Sequence, residues 1–540
     1  MHEHFDPRLL EFLRNPTSYP HRPREIRELH THASLLFLVP PFVYKIKKPV
    51  DFGFLDFSTL EKRRHFCQRE VELNSRLAPG IYQGVEAITR EGDGFALGGN
   101  GPMAEYAVKM VLMSPEGFLD ARIRAGTAGA AELERVARTL AEFYQKQPPD
   151  PDIAEWGTIG KLRVSTDENF SQVSAFSGET ISAAAFGAIR AFTDGFYDRK
   201  HELFERRIAR GWVRDCHGDL HLDHIHVTDD SLHIYDCIEF NDRFRYLDVA
   251  NDVAFLAMDL DQRGRPDLAK FFVQHMACLL KDDGMNDVMD FYKCYRAFVR
   301  GKVESLRTVS EIATDRECAD SREAARRYFQ LALQYALFGS RPRVVVVMGR
   351  VASGKSTFAK ALSHELGWRI VSSDERRKTL AGVPLCERVE AAGREKLYAP
   401  DMTRQTYDSL FTEACGCLAT GHGVILDATF SKREDREKLR GMLDDSSVLW
   451  IVAQADEQEI RKRLRRREGR NDVISDARLD DREALNAAYE VPDELPAGRT
   501  FTVRTTGNSE GVLTRLFAEM LACESEPFPN IALRQPAETT

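Results

Sequence analysis

The chain has 540 residues, 43% of them hydrophobic and 29% charged, with a formal net charge of −9. That length allows two or more domains, each with its own core, and the acidic balance argues against a general binder of nucleic acid or acidic membrane. No apolar run is long enough to span a bilayer, the first residues lack signal-peptide character, and the ten scattered cysteines read as reduced thiols of a cytoplasmic protein.

In chain order, residues 7–14 suggest a short helix. Two β-type runs, 34–39 and 42–47, flank Pro40–Pro41 and predict a hairpin. Lys45, Lys47 and Lys48 cluster on and just beyond its second strand; taken alone they suit a solvated edge strand, which lysine commonly protects. A helical pattern over 60–77 carries Glu70 in its middle. Strand-like segments at 84–89 and 105–113 follow, then helical patterns over 130–146 and 181–211. This is a small β-rich lobe followed by a helical one.

The stretch 213–227 contains His217–Gly218–Asp219–Leu220, and 232–241 contains Ile234–Tyr235–Asp236. Two short apolar strands, each delivering an aspartate, would put Asp219 and Asp236 on one rim. The histidines here lack H-E-x-x-H or a similar helical spacing, so a zinc site is not the expectation. A purely structural aspartate pair, satisfied by backbone N–H groups, is the alternative.

These residues resemble the active-site signature of the aminoglycoside-phosphotransferase and choline-kinase group, small-molecule kinases with a protein-kinase-like α+β fold. The resemblance implies that Lys45 is the ATP-phosphate lysine and Glu70 its helix partner, and that 109–115, including Met110, is the hinge holding adenine. It makes Asp219 the catalytic base or orienter, Asp236 an Mg²⁺ ligand, and Asp248 the brace of the catalytic loop. The chain departs from the group's pattern at His224, where the metal-binding asparagine is expected. Imidazole can hold a metal, but suits softer ions better than Mg²⁺. The turn at Val39–Phe42 also lacks the cover-loop glycines.

Residues 267–339 read as helical throughout, with the aromatics of 291–300 as core and Arg296 and Arg300 as candidates for an acceptor cleft. After a linker comes an apolar run, Val344 to Met348, then Gly349–Arg350–Val351–Ala352–Ser353–Gly354–Lys355–Ser356 and Thr357. Strand, G-x-x-x-x-G-K-S loop and helix stand in the required order for nucleotide binding. The loop's backbone N–H groups cradle phosphate, Lys355 reaches the β- and γ-phosphates, and Ser356 ligates Mg²⁺. A second strand at 368–371 leads to Asp374, which should face the phosphates at the carboxyl end of a parallel sheet. A helix over 405–420 precedes a buried strand at 423–430 that places Asp427 where it would orient Mg²⁺. A further strand lies at 448–452, and the basic run 461–467 is mostly a solvated face, with Arg463, Arg466 or Arg467 a candidate cation over the transferring phosphoryl group.

This half resembles the α/β P-loop kinases of small alcohols and 5′-hydroxyls: gluconate kinase, chloramphenicol phosphotransferase, the zeta-toxin group and polynucleotide kinase. The likeness implies Asp374 as general base and Arg377 as a holder of acceptor or phosphate. The whole resembles bacterial bifunctional aminoglycoside phosphotransferase/ATP-binding proteins. Domains are expected at 1–337 and 344–527, joined by a linker at 338–343 and followed by a flexible tail at 528–540. The expected function is ATP- and Mg²⁺-dependent transfer of phosphate to hydroxyls of small, sugar-like acceptors by both halves. The alternative is a catalytic P-loop half beside a regulatory nucleotide-binding module. A nucleic-acid 5′-hydroxyl acceptor stays open, and a membrane partner is not expected.

Overall fold

The computed structural model describes residues 5–309, 314–387, 389–468, 474 and 487–523; the expected tail at 528–540 lies outside them. The chain divides into two compact units, 1–165 with 200–293 and 166–199 with 294–540. This division cuts through the helical region instead of separating all of it from the phosphate loop.

The first unit is built on six strands, β1 (Arg27–His30), β2 (Ser34–Val39), β3 (Phe42–Lys47), β4 (Tyr82–Glu91), β5 (Gly94–Leu97) and β6 (Met103–Val111), ordered β1-β2-β3-β6-β4-β5 and antiparallel throughout. Both faces of the central hairpin are covered, which is why β2 reads as an unbroken apolar run. Leu35, Phe37, Val39, Tyr44 and Ile46 pack with Leu9 and Leu13 of the helix Pro7–Arg14. Val43, Val108 and Met110 on the other side pack with Cys67 of the helix Leu60–Asn74. That helix starts where the Thr59 side chain accepts the Lys62 N–H. Four short strands follow: β7 (Val213–Asp215), β8 (Ile225–Val227), β9 (Leu232–Ile234) and β10 (Tyr246–Asp248), paired β7 with β10 and β8 with β9.

β3 is an interior strand between β2 and β6, which corrects the solvated-edge reading of its lysines. Lys47 is only 1% exposed. The expected helix over 181–211 is two helices, Ala183–Arg199 and His201–Ala209, and the continuous pattern after 267 is broken into Pro266–Leu280, Met285–Arg307 and Asp315–Phe338.

The second unit holds a five-stranded parallel sheet of β11 (Val344–Met348), β12 (Arg369–Ser372), β13 (Val424–Asp427), β14 (Val448–Gln454) and β15 (Thr500–Arg504), ordered β12-β13-β11-β14-β15. All five residues of β11 are buried, as a central parallel strand covered on both faces requires. Helices from earlier in the chain belong to this unit. Ala183–Arg199 packs on Ser509–Cys523 and on Asp315–Phe338. Gln330 and Gln334 of the latter donate to the carbonyls of His364 and Leu366 at 2.7 and 2.6 Å. Phe338 stacks on Trp368 with ring centroids 4.9 Å apart. These contacts satisfy carbonyls at the C-terminal end of the helix Lys355–Leu366, which would otherwise lack partners.

Candidate functional site

In the second unit, β11 ends at a loop whose backbone needs left-handed conformations: φ is 136° at Gly349, 59° at Ala352 and 94° at Gly354. Glycine meets this demand without strain, and space also forbids a side chain. A Cβ at Gly349 would lie 2.4 Å from the Ala453 carbonyl oxygen, and one at Gly354 would lie 2.6 Å from both Arg463 Nη1 and Thr505 Oγ1. Lys355 opens the helix Lys355–Leu366 and its Nζ donates to the Arg350 carbonyl at 3.0 Å. Ser353 Oγ is buried with no hydrogen-bond partner among the described residues, a donor held ready in the cradle. Thr357 follows in the same first turn.

Parallel register brings the catalytic candidates level. Asp427 ends β13 opposite Val347 of β11 and Ser372 of β12, and Asp374 stands two residues beyond Ser372 in the first turn of the helix Ser373–Leu380. Burial pushes the Asp427 carboxyl above its usual range; Lys355 and a hydrogen bond from Ser356 oppose this, while Asp374 and Glu375 add to it. Ser356, Asp374 and Asp427 line two cavities, of about 540 and 910 Å³. Arg377 lines the larger one. It is buried, donates to the Leu397 carbonyl and Thr403 Oγ1 at 3.1 and 2.9 Å, and lies 4.7 Å from the Tyr398 ring centre. Its Nε has no hydrogen-bond partner among the described residues.

Arg463, the expected cation over the phosphoryl group, lines the smaller cavity with Ser356, Asp374 and Asp427 and is also tied to the phosphate loop. Its guanidinium donates to the Ala352 carbonyl at 3.3 Å and to Thr505 at Oγ1 and O, 3.0 and 2.8 Å, while Glu459 holds its Nε at 3.0 Å. Sitting one helical turn from Glu459, it fastens the phosphate loop at Ala352. Arg466 is exposed and lines the smaller cavity; the Arg467 side chain lies outside the described residues.

In the first unit, Lys45 Nζ lies 2.8 Å from Glu70 Oε1 and 2.7 Å from Asp236 Oδ1. Burial alone would lower the Lys45 pKa, but these two carboxylates outweigh it and hold it well above its usual value. Lys47 pairs with Glu70 Oε2 at 2.6 Å and with Glu239, so Glu70 joins two buried ammonium groups. Burial would raise Glu70, yet the two lysines keep it below the usual glutamate value. Asp236 has φ 60°; its N–H donates to Tyr82 Oη at 3.2 Å and that of Cys237 to Asn74 Oδ1 at 2.7 Å, which pins the strained turn to β4 and the Leu60–Asn74 helix.

Asp219 lies on the loop after β7. His221 Nε2 is 3.6 Å and His224 Nδ1 3.5 Å from Asp219 Oδ2, and His224 Nε2 is 3.5 Å from Asp236 Oδ2. Burial, with help from neighbouring His221, lowers His224 to about 4, so its imidazole is neutral at physiological pH. Despite lacking a helical spacing, Asp219, His221 and His224 bring ligand atoms within 4.8 Å of one another, because an extended turn and one 3₁₀ turn, not a helix, carry them.

The brace of this loop is Asp252, not Asp248. Asp252 accepts the N–H groups of His217 and Gly218, both at 2.9 Å, and the Tyr144 hydroxyl at 2.8 Å. Asp248 instead caps the following helix through the Ala250 N–H and pairs with Arg207. Met110, expected in an adenine hinge, sits inside β6 with its side chain in the core against Val43 and Tyr82. Arg296 is likewise buried, over Tyr295.

A family model described as an AAA domain matches residues 344–492. Over 468 residues, 86% of this chain and 89% of the relative, the sequence is 31% identical to "Uncharacterized protein Rv2004c" of Mycobacterium tuberculosis strain H37Rv. The chain belongs to the Rv2004c family. Within its C-terminal region, gluconokinase of Gluconobacter oxydans is 31% identical over 137 residues, 24% of this chain and 68% of that enzyme. The C-terminal region is therefore a P-loop domain related to a small-molecule kinase. A crystal structure of choline kinase from Cryptosporidium parvum aligns with a TM-score of 0.36 and 12% identity, covering 61% of this chain and 95% of that one.

In this Rv2004c-family chain the candidate site also gathers residues to which the sequence alone assigns no role there. Lys47 and Glu239 pair across 192 positions, and nothing local to either marks the other. Asp252 follows Asp248 by one helical turn, so only the direction of its side chain separates brace from cap. His221 was legible as a histidine two residues from Asp219, but its alignment with His224, ring centroids 3.8 Å apart, depends on the turn between them.

Proposed function

We propose that this chain is an ATP-dependent phosphotransferase whose P-loop unit moves the γ-phosphoryl group of MgATP to a hydroxyl of a small acceptor. The reading rests on the convergence of Lys355, Ser356, Asp374 and Asp427 at the carboxyl ends of three adjacent parallel strands. Relatedness to gluconokinase supports it. The donor set fits the cofactor: a serine hydroxyl hydrogen-bonded to a buried carboxylate offers the hard oxygen ligands Mg²⁺ prefers, and the unpartnered Ser353 hydroxyl faces a loop shaped for phosphate. Ser356 and Asp427 would hold MgATP together with the backbone of 349–357. Bound metal supplies charge neutralisation on the transferred group.

Each side chain then has a physical task. Lys355 draws off charge developing on the phosphoryl oxygens. Asp374 orients the acceptor hydroxyl and takes its proton, which at once improves the nucleophile and fixes its direction. Arg377, buried against Tyr398 with an unpartnered Nε, suits an acceptor that carries a carboxylate or phosphate beside its hydroxyl. Arg463 contributes by holding the Ala352 carbonyl, so it is a positioning residue.

A second reading concerns the first unit. Lys45 bound between Glu70 and Asp236, with Asp219 on the neighbouring loop, is an arrangement suited to holding nucleotide phosphate and directing a hydroxyl. We assign it a second nucleotide-dependent phosphotransfer site. The test is transfer from MgATP into a metabolite extract with product identification by mass spectrometry, comparing wild type, Lys355→Ala, Asp219→Ala and the double variant. Different products lost in each single variant support both sites. Loss in Lys355→Ala alone reduces the first unit to a binding module. ATP hydrolysis with no phosphorylated product in any lane overturns the kinase reading.

A further inference from the structure

We propose that Asp219, His221 and His224 form a binding site for a divalent transition cation of the Zn²⁺ class in the first unit, with Asp236 beside His224 at its edge. Zinc bonds to nitrogen and oxygen of about 2.0–2.2 Å set ligand atoms of a tetrahedral ion about 3.3–3.6 Å apart. Two of the separations here fall at that edge length: His221 Nε2 to Asp219 Oδ2 at 3.6 Å, and His224 Nε2 to Asp236 Oδ2 at 3.5 Å. One ligand atom from each of Asp219, His221 and His224 lies within 4.8 Å of the others, a spread that small side-chain rotations close.

The outer contacts are arranged as metal-binding histidines require. A ligating imidazole donates its second ring N–H to a carbonyl or carboxylate, which fixes tautomer and ring direction. His224 Nδ1 lies 2.9 Å from the Asp219 carbonyl oxygen, leaving Nε2 with its lone pair toward Asp236. His221 Nδ1 faces Asp223 Oδ2 at 3.7 Å, leaving Nε2 toward Asp219. Both rings are mostly buried, with side-chain exposures of 7% and 14%. Asp236 divides its oxygens: Oδ1 takes Lys45 and Oδ2 faces the cluster.

Charge and donor type then choose the ion. The Asp219 carboxylate, with Asp236 close by, offsets the charge of a dication, and two imidazoles beside it favour zinc or cobalt over magnesium, which demands near-octahedral geometry and oxygen ligands. The same loop with asparagine in place of His224 would be a hard-oxygen site.

The experiment uses the full chain, purified without a histidine tag and stripped with chelator. It is titrated with Co²⁺, whose visible d–d bands report tetrahedral nitrogen–oxygen ligation, and with Zn²⁺ against a chromophoric chelator. One equivalent should bind without a thiolate charge-transfer band. His221→Gln and His224→Asn, which keep bulk and polarity, should each weaken Zn²⁺ binding about 100-fold, with circular dichroism confirming the fold. A wild type without a stoichiometric Co²⁺ signal, or a signal retained by both variants, overturns the proposal. Mg²⁺ displacing Zn²⁺ at comparable concentration overturns the choice of ion. Occupancy is read without nucleotide or acceptor, so a failure here is separate from any failure of the phosphotransfer reading.

Discussion

In the first unit the ammonium of Lys45 sits between two carboxylates, 2.8 Å from Glu70 and 2.7 Å from Asp236, whereas in the second Lys355 reaches a backbone carbonyl 3.0 Å away at Arg350. One site is assembled from charged side chains drawn from three distant segments. The other is a backbone cradle written into fourteen consecutive residues, Val344 to Thr357. The first arrangement carries a large desolvation cost, which only complete pairing offsets. The second draws on peptide N–H groups that are present at any helix start. Side-chain assembly should therefore be fragile to loss of a single charge, and the backbone cradle robust in fold but sensitive in turnover.

The sharpest break of that contrast is Glu70→Ala. It takes one carboxylate from each of Lys45 and Lys47, leaving them Asp236 and Glu239, and Lys47 is 1% exposed; removing one partner of a buried pair costs about 3–5 kcal/mol. Urea denaturation should show that loss, and an unchanged midpoint would refute the claim that Glu70 holds the unit together. Lys355→Ala should leave the fold intact and lower kcat about 10²–10³-fold, the scale for removing one transition-state cation or donor, as steady-state kinetics with MgATP would read. Arg463→Ala should raise the KM for ATP about tenfold while leaving kcat nearly unchanged, because it frees the Ala352 carbonyl without removing a group from the phosphoryl transfer. A kcat loss with KM preserved would restore Arg463 as a transition-state cation.

The smallest effect concerns pH. Glu70 is more acidic in the folded chain than its ordinary value of 4.5, since Lys45 and Lys47 outweigh burial. The folded state thus favours its ionised form more than the unfolded chain does. That stabilisation is complete above the unfolded value and disappears as pH falls through the folded one. Burial raises the neighbouring Glu239 despite its contact with Lys47, which acts in the opposite sense, so the wild type must be compared with Glu70→Gln across pH 3 to 7. The stability difference between them should shrink toward the acid end; a constant difference would show that ionisation of Glu70 plays no part.

The same contrast explains what could be read from the sequence. Strand, loop and helix around Lys355 are adjacent in the chain, so β-branched run, glycines and lysine announce them together. The hairpin 34–47 was legible for the same reason, and its bounds match β2 and β3. The place of its lysines was not legible because the local sequence does not show whether a strand is interior or at an edge; the acids that pair with Lys47 come from Glu70 and Glu239. Asp427 was placed by its apolar strand, and Arg463 was among the candidates of the basic run, but a basic helix face gives no sign of its bonds to Ala352 and Thr505. Strands β1 and β5 are short and largely exposed, with too little periodicity to mark them, while β15 alternates strictly but over only five residues.

The helix Ala183–Arg199, which precedes the first unit's Asp219 loop in the chain, belongs with the P-loop unit, against Ser509–Cys523. The two units are thus interleaved along the polypeptide. Scission near residue 340 would deprive the phosphate-loop fragment of this helix and of Asp315–Phe338, and would bare Trp368 and the carbonyls of His364 and Leu366 to water. Synthesis meets the same condition: residues 183–199 leave the ribosome more than three hundred positions before the helix at 509–523 that completes their packing. A cut between the two halves of the sequence therefore does not coincide with a cut between the two units.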